Sequence, residues 1–90
     1  MRYEWDENKR QANLEKHGLD FDDAGLVFES ADKLTLSCVT KTEQRWMDIA
    51  NVDGNLLVLT CVYTVRAKAV RIISLRHASR KERELYGKNR

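Results

Sequence analysis

Polar and apolar residues follow a helical spacing in the first third of the chain. Asp6 is a residue type that caps helices, and it precedes a polar segment that ends at His17 and is followed by Gly18. The pattern predicts a first helix between these points. Asp20 is a second capping residue, and the apolar positions after it predict a short amphipathic helix. They recur at i, i+3, i+4 and i+7, as Phe21, Ala24, Gly25 and Phe28.

Four later segments have the alternating or β-branched pattern of strands. They are Leu34–Val39, Arg45–Ala50, Leu56–Val65 and Ala69–Leu75. The dipeptide Asp53-Gly54 between the second and third segments favours a tight hairpin. A polar break at Arg66–Lys68 separates the third segment from the fourth. The four strands are therefore expected to form an antiparallel meander.

The two ends of the chain add one element each. A short extended piece at Tyr3–Trp5 is a candidate fifth strand. Ser79 and Glu82 have the spacing of a capping box, which predicts a C-terminal helix. The predicted fold class is α+β, in one domain of residues 1–90. It has an antiparallel sheet of four strands, or five with the N-terminal piece, and two N-terminal helices and one C-terminal helix packed on one face.

Counting with period two divides the last strand into two sides. Arg71, Ile73 and Leu75 are expected on one side, and Val70, Ile72, Ser74 and Arg76 on the other. Both sides are partly apolar. The pattern alone therefore does not decide whether Arg71 or Arg76 lies over the open face.

Positive charge is concentrated near the carboxyl end. From Arg66 onward there are nine Lys and Arg residues against two acids, a net charge of +7, whereas residues 1–65 carry −5. Clustered cations of this kind favour a polyanionic partner, because they neutralise phosphates and release counterions. Between Lys16 and Lys33 there are five acids and no Lys or Arg. This acidic segment would repel RNA or attract a basic partner; an ordinary solvated helix start is the alternative.

Composition excludes several classes of protein. A 90-residue chain with 42% hydrophobic and 33% charged residues is typical of a small globular domain, and no apolar run reaches the length of a membrane span. The N-terminal segment lacks the apolar stretch of a secretory signal, so a cytoplasmic protein is expected. Cys38 and Cys61 lie in alternating runs without metal-ligand spacing, so neither a disulfide nor a metal site is expected. No cofactor is expected either.

Several longer segments resemble the BrnT family of ribonuclease toxins from type II toxin–antitoxin systems. The resemblance extends from Glu4 to Tyr86. It rests on EWDENKRQANLEKHGLDFDDA, EQRWMDI, LLVLTCVYTVR, RIISLRHAS and RKERELY, in this order. It implies a RelE-like fold that cleaves RNA and arrests translation until a BrnA-type antitoxin binds it. It also implies an assembly of two toxins with two antitoxins, in which operator DNA is bound only through the antitoxin.

The residue types suggest how RNA would be cleaved without a metal. Arg66, Arg76 and Arg45 are candidates for stabilising the transition-state phosphate, since a guanidinium matches phosphate oxygens and stays charged. Arg66 and Arg76 are expected to converge in one hollow. Arg76→Ala is expected to remove toxicity and leave the fold intact. Proton transfer and RNA binding have further candidates. They are Glu43, His17 and Tyr86 for proton transfer, and Lys16, Arg71, Arg80, Lys81 and Arg83 for RNA binding.

Each candidate also has a purely structural interpretation. Lys16 and His17 lie in the last turn of the first helix, where cations complement the helix dipole. Arg45 and Glu43 could be a surface ion pair without a catalytic role, and the cations of the C-terminal helix could lie on a solvated face without binding RNA. The alternative function is a non-enzymatic module that uses the basic strand and helix to bind nucleic acid or an acidic protein.

Overall fold

A computed structural model describes residues 2–52 and 57–89 and contains five strands and three helices within them. In chain order they are β1 (Arg2–Trp5), α1 (Glu7–His17), α2 (Ala24–Phe28), β2 (Leu34–Val39), β3 (Gln44–Val52), β4 (Leu57–Arg66), β5 (Ala69–His77) and α3 (Arg80–Lys88). A single 3₁₀ turn at Phe21–Asp23 precedes α2. The α+β class is therefore confirmed. The predicted Asp53-Gly54 turn lies outside the described residues.

The helix ends follow the capping residues found in the sequence. The Asp6 carboxylate accepts the backbone N–H of Asn8 at 2.8 Å, and Gly18 ends α1 in the left-handed conformation with φ +70°. Asp20 caps the 3₁₀ turn in the same way. At α3 the capping box forms as predicted, with Ser79 and Glu82 each accepting the other's backbone N–H.

The five strands form one sheet in the order β1-β5-β4-β3-β2. The pairs β2–β3, β3–β4 and β4–β5 are antiparallel, which confirms the predicted meander. The N-terminal piece is the fifth strand, and it pairs with β5 in parallel, so the sheet is mixed rather than wholly antiparallel. The parallel pairing is possible because α1 and the following elements intervene between β1 and β5, as a parallel connection requires.

A β-bulge changes the side-chain pattern of β5. Its register against β4 shifts between Tyr63↔Ile72 and Val62↔Ser74, so Ile73 is an additional residue on β5. Because of this shift, Leu75 lies on the same side as Val70 and Ile72, and the three belong to one buried cluster. The predicted grouping of Leu75 with Arg71 is therefore wrong. Period-two counting assumes a strand without a bulge, so it assigns the residues after Ile73 to the wrong sides of the sheet.

Helices cover both faces of the sheet, not one face as predicted. On one face, α2 and the 3₁₀ turn bury the larger core. Its central members are Phe21, Val27, Leu59, Cys61, Ile72 and Leu75. On the opposite face, α3 packs Tyr86 against Ile49 of β3. The two faces thus differ: the α2 face holds most of the apolar core, and the α3 face is covered in part by the short helix α3.

Two buried polar groups support this arrangement. The side-chain amide of Asn13 on α1 donates to the Leu75 carbonyl at 2.7 Å and accepts the Leu75 N–H at 3.2 Å. It satisfies the edge of β5 at a point beyond the end of β1, which fixes α1 beside that strand. On the α2 face, the fully buried Asp48 accepts from Lys33 at 2.8 Å and from Thr35 at 2.6 Å.

None of the helices in the described part of the chain is both long and apolar enough to cross a membrane.

Candidate active site

The part of the α3 face that α3 does not cover is the candidate site. Register places Arg76 opposite Thr60 and Arg71 opposite Thr64, and Thr60, Thr64 and Arg66 alternate on the same side of β4. Thr60 donates to Glu82 of α3 at 3.0 Å, which identifies this side as the α3 face. We call the part beyond α3 the open face. All four of the predicted strand arginines lie on it: Arg45, Arg66, Arg71 and Arg76.

At one end of the open face, a carboxylate lies between two guanidinium groups. Glu43 precedes β3 and accepts from Arg45 Nε at 2.9 Å with one oxygen and from Arg66 Nη2 at 3.0 Å with the other. The two arginines come from different strands, β3 and β4. Their N–H bonds lower the pKa of Glu43, Arg45 first and Arg66 second, so the carboxylate is ionised at neutral pH. Glu43 is half-buried, and Arg66 is 57% exposed.

At the other end, Arg76 makes a bidentate pair with Glu82. Its Nη1 and Nη2 atoms lie 2.7 and 2.8 Å from the two Glu82 oxygens. Glu82 also accepts from Thr60 and from the Ser79 backbone, and this network lowers the pKa of Glu82 to about 2, with the Arg76 bonds as the largest cause. Arg76 thus attaches α3 to the sheet. The expectation that Arg76→Ala leaves the fold intact does not agree with this contact.

The structure does not bring Arg66 and Arg76 into one hollow. They share a face, but Arg66 pairs with Ala69 at the turn end of the β4–β5 hairpin, whereas Arg76 pairs with Thr60. Thr60 and Arg66 are six residues apart on β4, about 20 Å at the usual rise of a strand. Each guanidinium also has its own carboxylate partner. The expected convergence is therefore wrong, and the open face has two separate charged ends.

Between these ends lies Arg71, and beside the second end lies the end of α1. Arg71 Nη1 is 3.6 Å from a Glu4 carboxylate oxygen across the β1–β5 edge. Lys16 and His17 line a shallow cavity of about 310 Å³, whose floor includes Ser74 of β5. The second end thus combines side chains from α1, β5 and α3.

The surroundings of His17 lower the pKa of its imidazole and so favour the neutral form. Burial is the largest cause that lowers its pKa, and the positive charges of Lys16, Arg76 and His77 lower it further. A neutral imidazole can accept a proton. His17 thus lies close enough to Arg76 to be affected by its charge, and Lys16 lines the same cavity as His17.

Comparison with known proteins decides the family. The family model for the ribonuclease toxin BrnT of type II toxin–antitoxin systems matches residues 5–82, most of the chain. The chain belongs to the BrnT family. It is thus a member of a family of ribonuclease toxins, and an antitoxin partner follows from the type II system. The comparison with curated proteins gives no match.

The remaining candidates occupy different positions in this BrnT-family fold. Tyr86 is the buried residue of α3, and its hydroxyl accepts the Asn51 backbone N–H at 3.2 Å, so its side chain packs α3 onto β3. Arg80 and Lys81 are exposed in the first turn of α3. Arg83, also exposed, donates to the Ala78 carbonyl at 3.1 Å. These three cations extend the positive surface beyond the sheet.

Sequence reasoning identified Glu82 only as a capping residue and missed its pairing with Arg76. The available signal was charge: Glu82 is one of two acids in a segment that carries nine cations, so a specific cationic partner was to be expected. Asn13 lies in the first of the segments that resemble the family, but no periodicity predicts its bonds to Leu75. In the described residues, 2–52 and 57–89, no three His, Cys, Asp or Glu side chains are grouped as metal ligands.

Proposed function

We propose that this BrnT-family protein is a metal-independent endoribonuclease whose reactive centre is Glu43 with Arg45 and Arg66. The observation that supports this proposal is a single ionised carboxylate held between two guanidinium groups, at 2.9 and 3.0 Å, on an uncovered sheet face. This arrangement places a proton acceptor directly beside two donors that match phosphate oxygens. At the other charged end, the Glu82 carboxylate instead joins Arg76 to α3 and caps that helix.

The proposed reaction begins when an RNA phosphate binds Arg45 and Arg66. Their N–H donors then turn from Glu43 to the phosphate, which raises the basicity of the carboxylate. Glu43 accepts the proton of the 2′-hydroxyl as its oxygen attacks phosphorus. The two guanidinium groups stabilise the added negative charge on the phosphate oxygens. The bond from phosphorus to the 5′-oxygen breaks, and this oxygen takes a proton from water. The hydroxide that results accepts the proton held by Glu43, which regenerates the carboxylate, and a 2′,3′-cyclic phosphate remains.

The rest of the open face would bind the RNA strand on the far side of the scissile phosphate. Arg71 lies between the two charged ends, and Arg76 with His17 lies at the second end. Further contacts come from the exposed cations next to that end. These are Lys16, Arg80, Lys81 and Arg83. Because such contacts are to phosphates, they give affinity and orientation and do not by themselves select bases.

A BrnA-type antitoxin is proposed to neutralise the enzyme, in an assembly with two copies of each protein. The antitoxin would supply the DNA-binding element that recognises the operator. RNA cleavage would then arrest translation in the cytoplasm whenever the antitoxin is depleted. These proposals extend the family assignment, whose type II class requires an antitoxin.

The test uses an RNA oligonucleotide of mixed sequence with purified protein in excess EDTA. Cleavage is expected to persist, and the products should end in a 2′,3′-cyclic phosphate. An oligonucleotide with a single 2′-deoxy sugar at a mapped cleavage position should resist cutting there only. Salt-dependent binding without any cleavage would instead support the non-enzymatic nucleic-acid-binding module. Cleavage that requires added Mg²⁺, or that ignores the 2′-deoxy sugar, would contradict the proposed chemistry.

A further inference from the structure

The surface over α2, on the side of the sheet away from the open face, has two recesses on either side of one exposed leucine. Leu26 is 60% exposed and lines both. The first recess, about 420 Å³, is mainly apolar, lined also by Leu19, Val52, Leu57 and Leu59, with Asp23 as its one charged residue. The second, about 520 Å³, is acidic and is lined by Asp22, Asp23 and Glu29. We call the two recesses with Leu26 the α2 groove.

The acidic recess carries charge that the chain leaves largely uncompensated. Asp20 is paired with Arg10 at 2.8 Å, but Asp22 and Asp23 are exposed and make no salt bridge with a residue of the described part of the chain. No Lys or Arg lies between Lys16 and Lys33. In contrast, the Glu29 carboxylate accepts the Tyr3 hydroxyl. The groove therefore presents a leucine and an apolar cavity beside unneutralised aspartates.

We propose that the α2 groove binds a basic amphipathic segment of the antitoxin, a proposal that rests on the toxin function given above. An apolar side chain of that segment would fill the cavity beside Leu26, and Lys or Arg side chains about one helical turn away would contact Asp22 and Asp23. Charge complementarity selects this partner over RNA, which the same aspartates repel.

This location separates antitoxin anchoring from RNA binding. The α2 groove is on the face that holds the main core, whereas Glu43, Arg45 and Arg66 are on the α3 face. A segment bound in the groove would hold the antitoxin to the toxin without a direct contact to the reactive carboxylate. Substitutions in the groove should consequently weaken antitoxin binding and leave RNA cleavage unchanged.

The apolar part of the proposal is tested with Leu26→Ser and a matched control, Leu14→Ser. Leu14 is also an exposed leucine, 43% exposed, but it lies on α1 outside the groove. The affinity for the purified cognate antitoxin is measured by titration calorimetry. Leu26→Ser is expected to weaken binding about tenfold or more, and Leu14→Ser less than about twofold. Equal affinities for the two variants would overturn the proposal.

The charged part is tested with Asp22→Asn/Asp23→Asn and the control Glu15→Gln on α1. The double variant is expected to reduce the salt dependence of antitoxin binding, since two of the interacting charges are removed. Glu15→Gln should leave it unchanged. An unchanged salt dependence in the double variant would count against the proposed basic segment.

Two further readouts separate this proposal from its premise. RNA cleavage by Leu26→Ser should equal that of the wild type. If neither protein cleaves RNA but the variant still loses antitoxin binding, the proposed ribonuclease activity is refuted and the proposed role of the α2 groove is supported. Light scattering of the toxin alone tests a second copy of the chain as the occupant. A wild-type dimer that Leu26→Ser dissociates, with unchanged antitoxin affinity, would overturn the proposed partner.

Discussion

Replacing Arg76 with methionine removes the cation that holds α3 on the sheet. Both oxygens of the Glu82 carboxylate accept from Arg76, and the Glu82 side chain is only 13% exposed. Methionine keeps most of the apolar stem of the arginine. The substitution therefore leaves a largely buried carboxylate with only the bonds from Thr60 and the Ser79 backbone.

The pKa of Glu82 gives the size of the effect. It falls from 4.5 to about 2, and the Arg76 bonds are the largest cause. At about 1.36 kcal/mol per pH unit, this fall corresponds to about 3.4 kcal/mol of folding free energy at pH 7. Since Arg76 is partly exposed and two bonds to Glu82 remain, we expect Arg76→Met to lower the free energy of unfolding by about 2 kcal/mol.

The loss should depend on pH in a defined direction. A carboxylate whose pKa is lowered by folding stabilises the fold above its ordinary value of 4.5, and this stabilisation disappears as the pH falls towards the folded value of about 2. At pH 3 the contribution of Glu82 is about 1.4 kcal/mol, less than half of that at pH 7. The stability difference between wild type and Arg76→Met should therefore shrink on acidification.

Urea denaturation at pH 7 and pH 3 measures the loss of unfolding free energy and its dependence on pH. At pH 7 the midpoint of Arg76→Met is expected about 1 M below that of the wild type. The control is Arg80→Met, because Arg80 is 88% exposed and its pair with Glu84 spans 3.5 Å. This control should stay within about 0.5 kcal/mol of the wild type. An Arg76→Met variant as stable as the control, or a loss that is equal at both pH values, would show that the pair of Arg76 with Glu82 does not stabilise the fold.

Three further predictions address other polar groups. Lys33→Met leaves the fully buried Asp48 without its cation and should lower the free energy of unfolding, measured by urea denaturation, by about 3 kcal/mol. A loss below about 1 kcal/mol would show that the pair contributes little to stability. Asn13→Ala leaves the Leu75 backbone N–H and carbonyl without their partner and should cost about 2–3 kcal/mol in the same assay, whereas an unchanged midpoint would contradict the edge role. Arg71→Gln should make the slope of log affinity against log salt for single-stranded RNA less steep by about 0.7. An unaltered slope would show that Arg71 does not contact a phosphate of the bound RNA.

The sequence predicted the elements well because their signals are local. Capping residues such as Asp6 and Ser79 act within one helical turn, and Gly18 supplies the conformation that ends α1. The bulge at Ile73 was not predictable from alternation, since a bulge is a property of two paired strands. The side chains that α3 covers could not be identified until its packing was known.

The candidate site was predicted in part. The arginines and Glu43 were identified by residue type, and the pairing of Glu43 with Arg45 was anticipated as a surface pair. The link from Glu43 to Arg66, 23 positions along the chain, depends on the β3–β4 register. Likewise, the separation of Arg66 from Arg76 follows from their places at opposite ends of one hairpin.

Glu43, held by Arg45 and Arg66, is the proposed proton acceptor in RNA cleavage. The test is the single-turnover cleavage rate of RNA in EDTA for the wild type, Glu43→Gln and the control Glu15→Gln, an exposed residue of α1 outside the site, with thermal unfolding to verify the fold of each. Glu43→Gln is expected to lower the rate by about 10²–10⁴, and Glu15→Gln by less than about twofold. A folded Glu43→Gln variant that cleaves at the wild-type rate would show that Glu43 is not the proton acceptor.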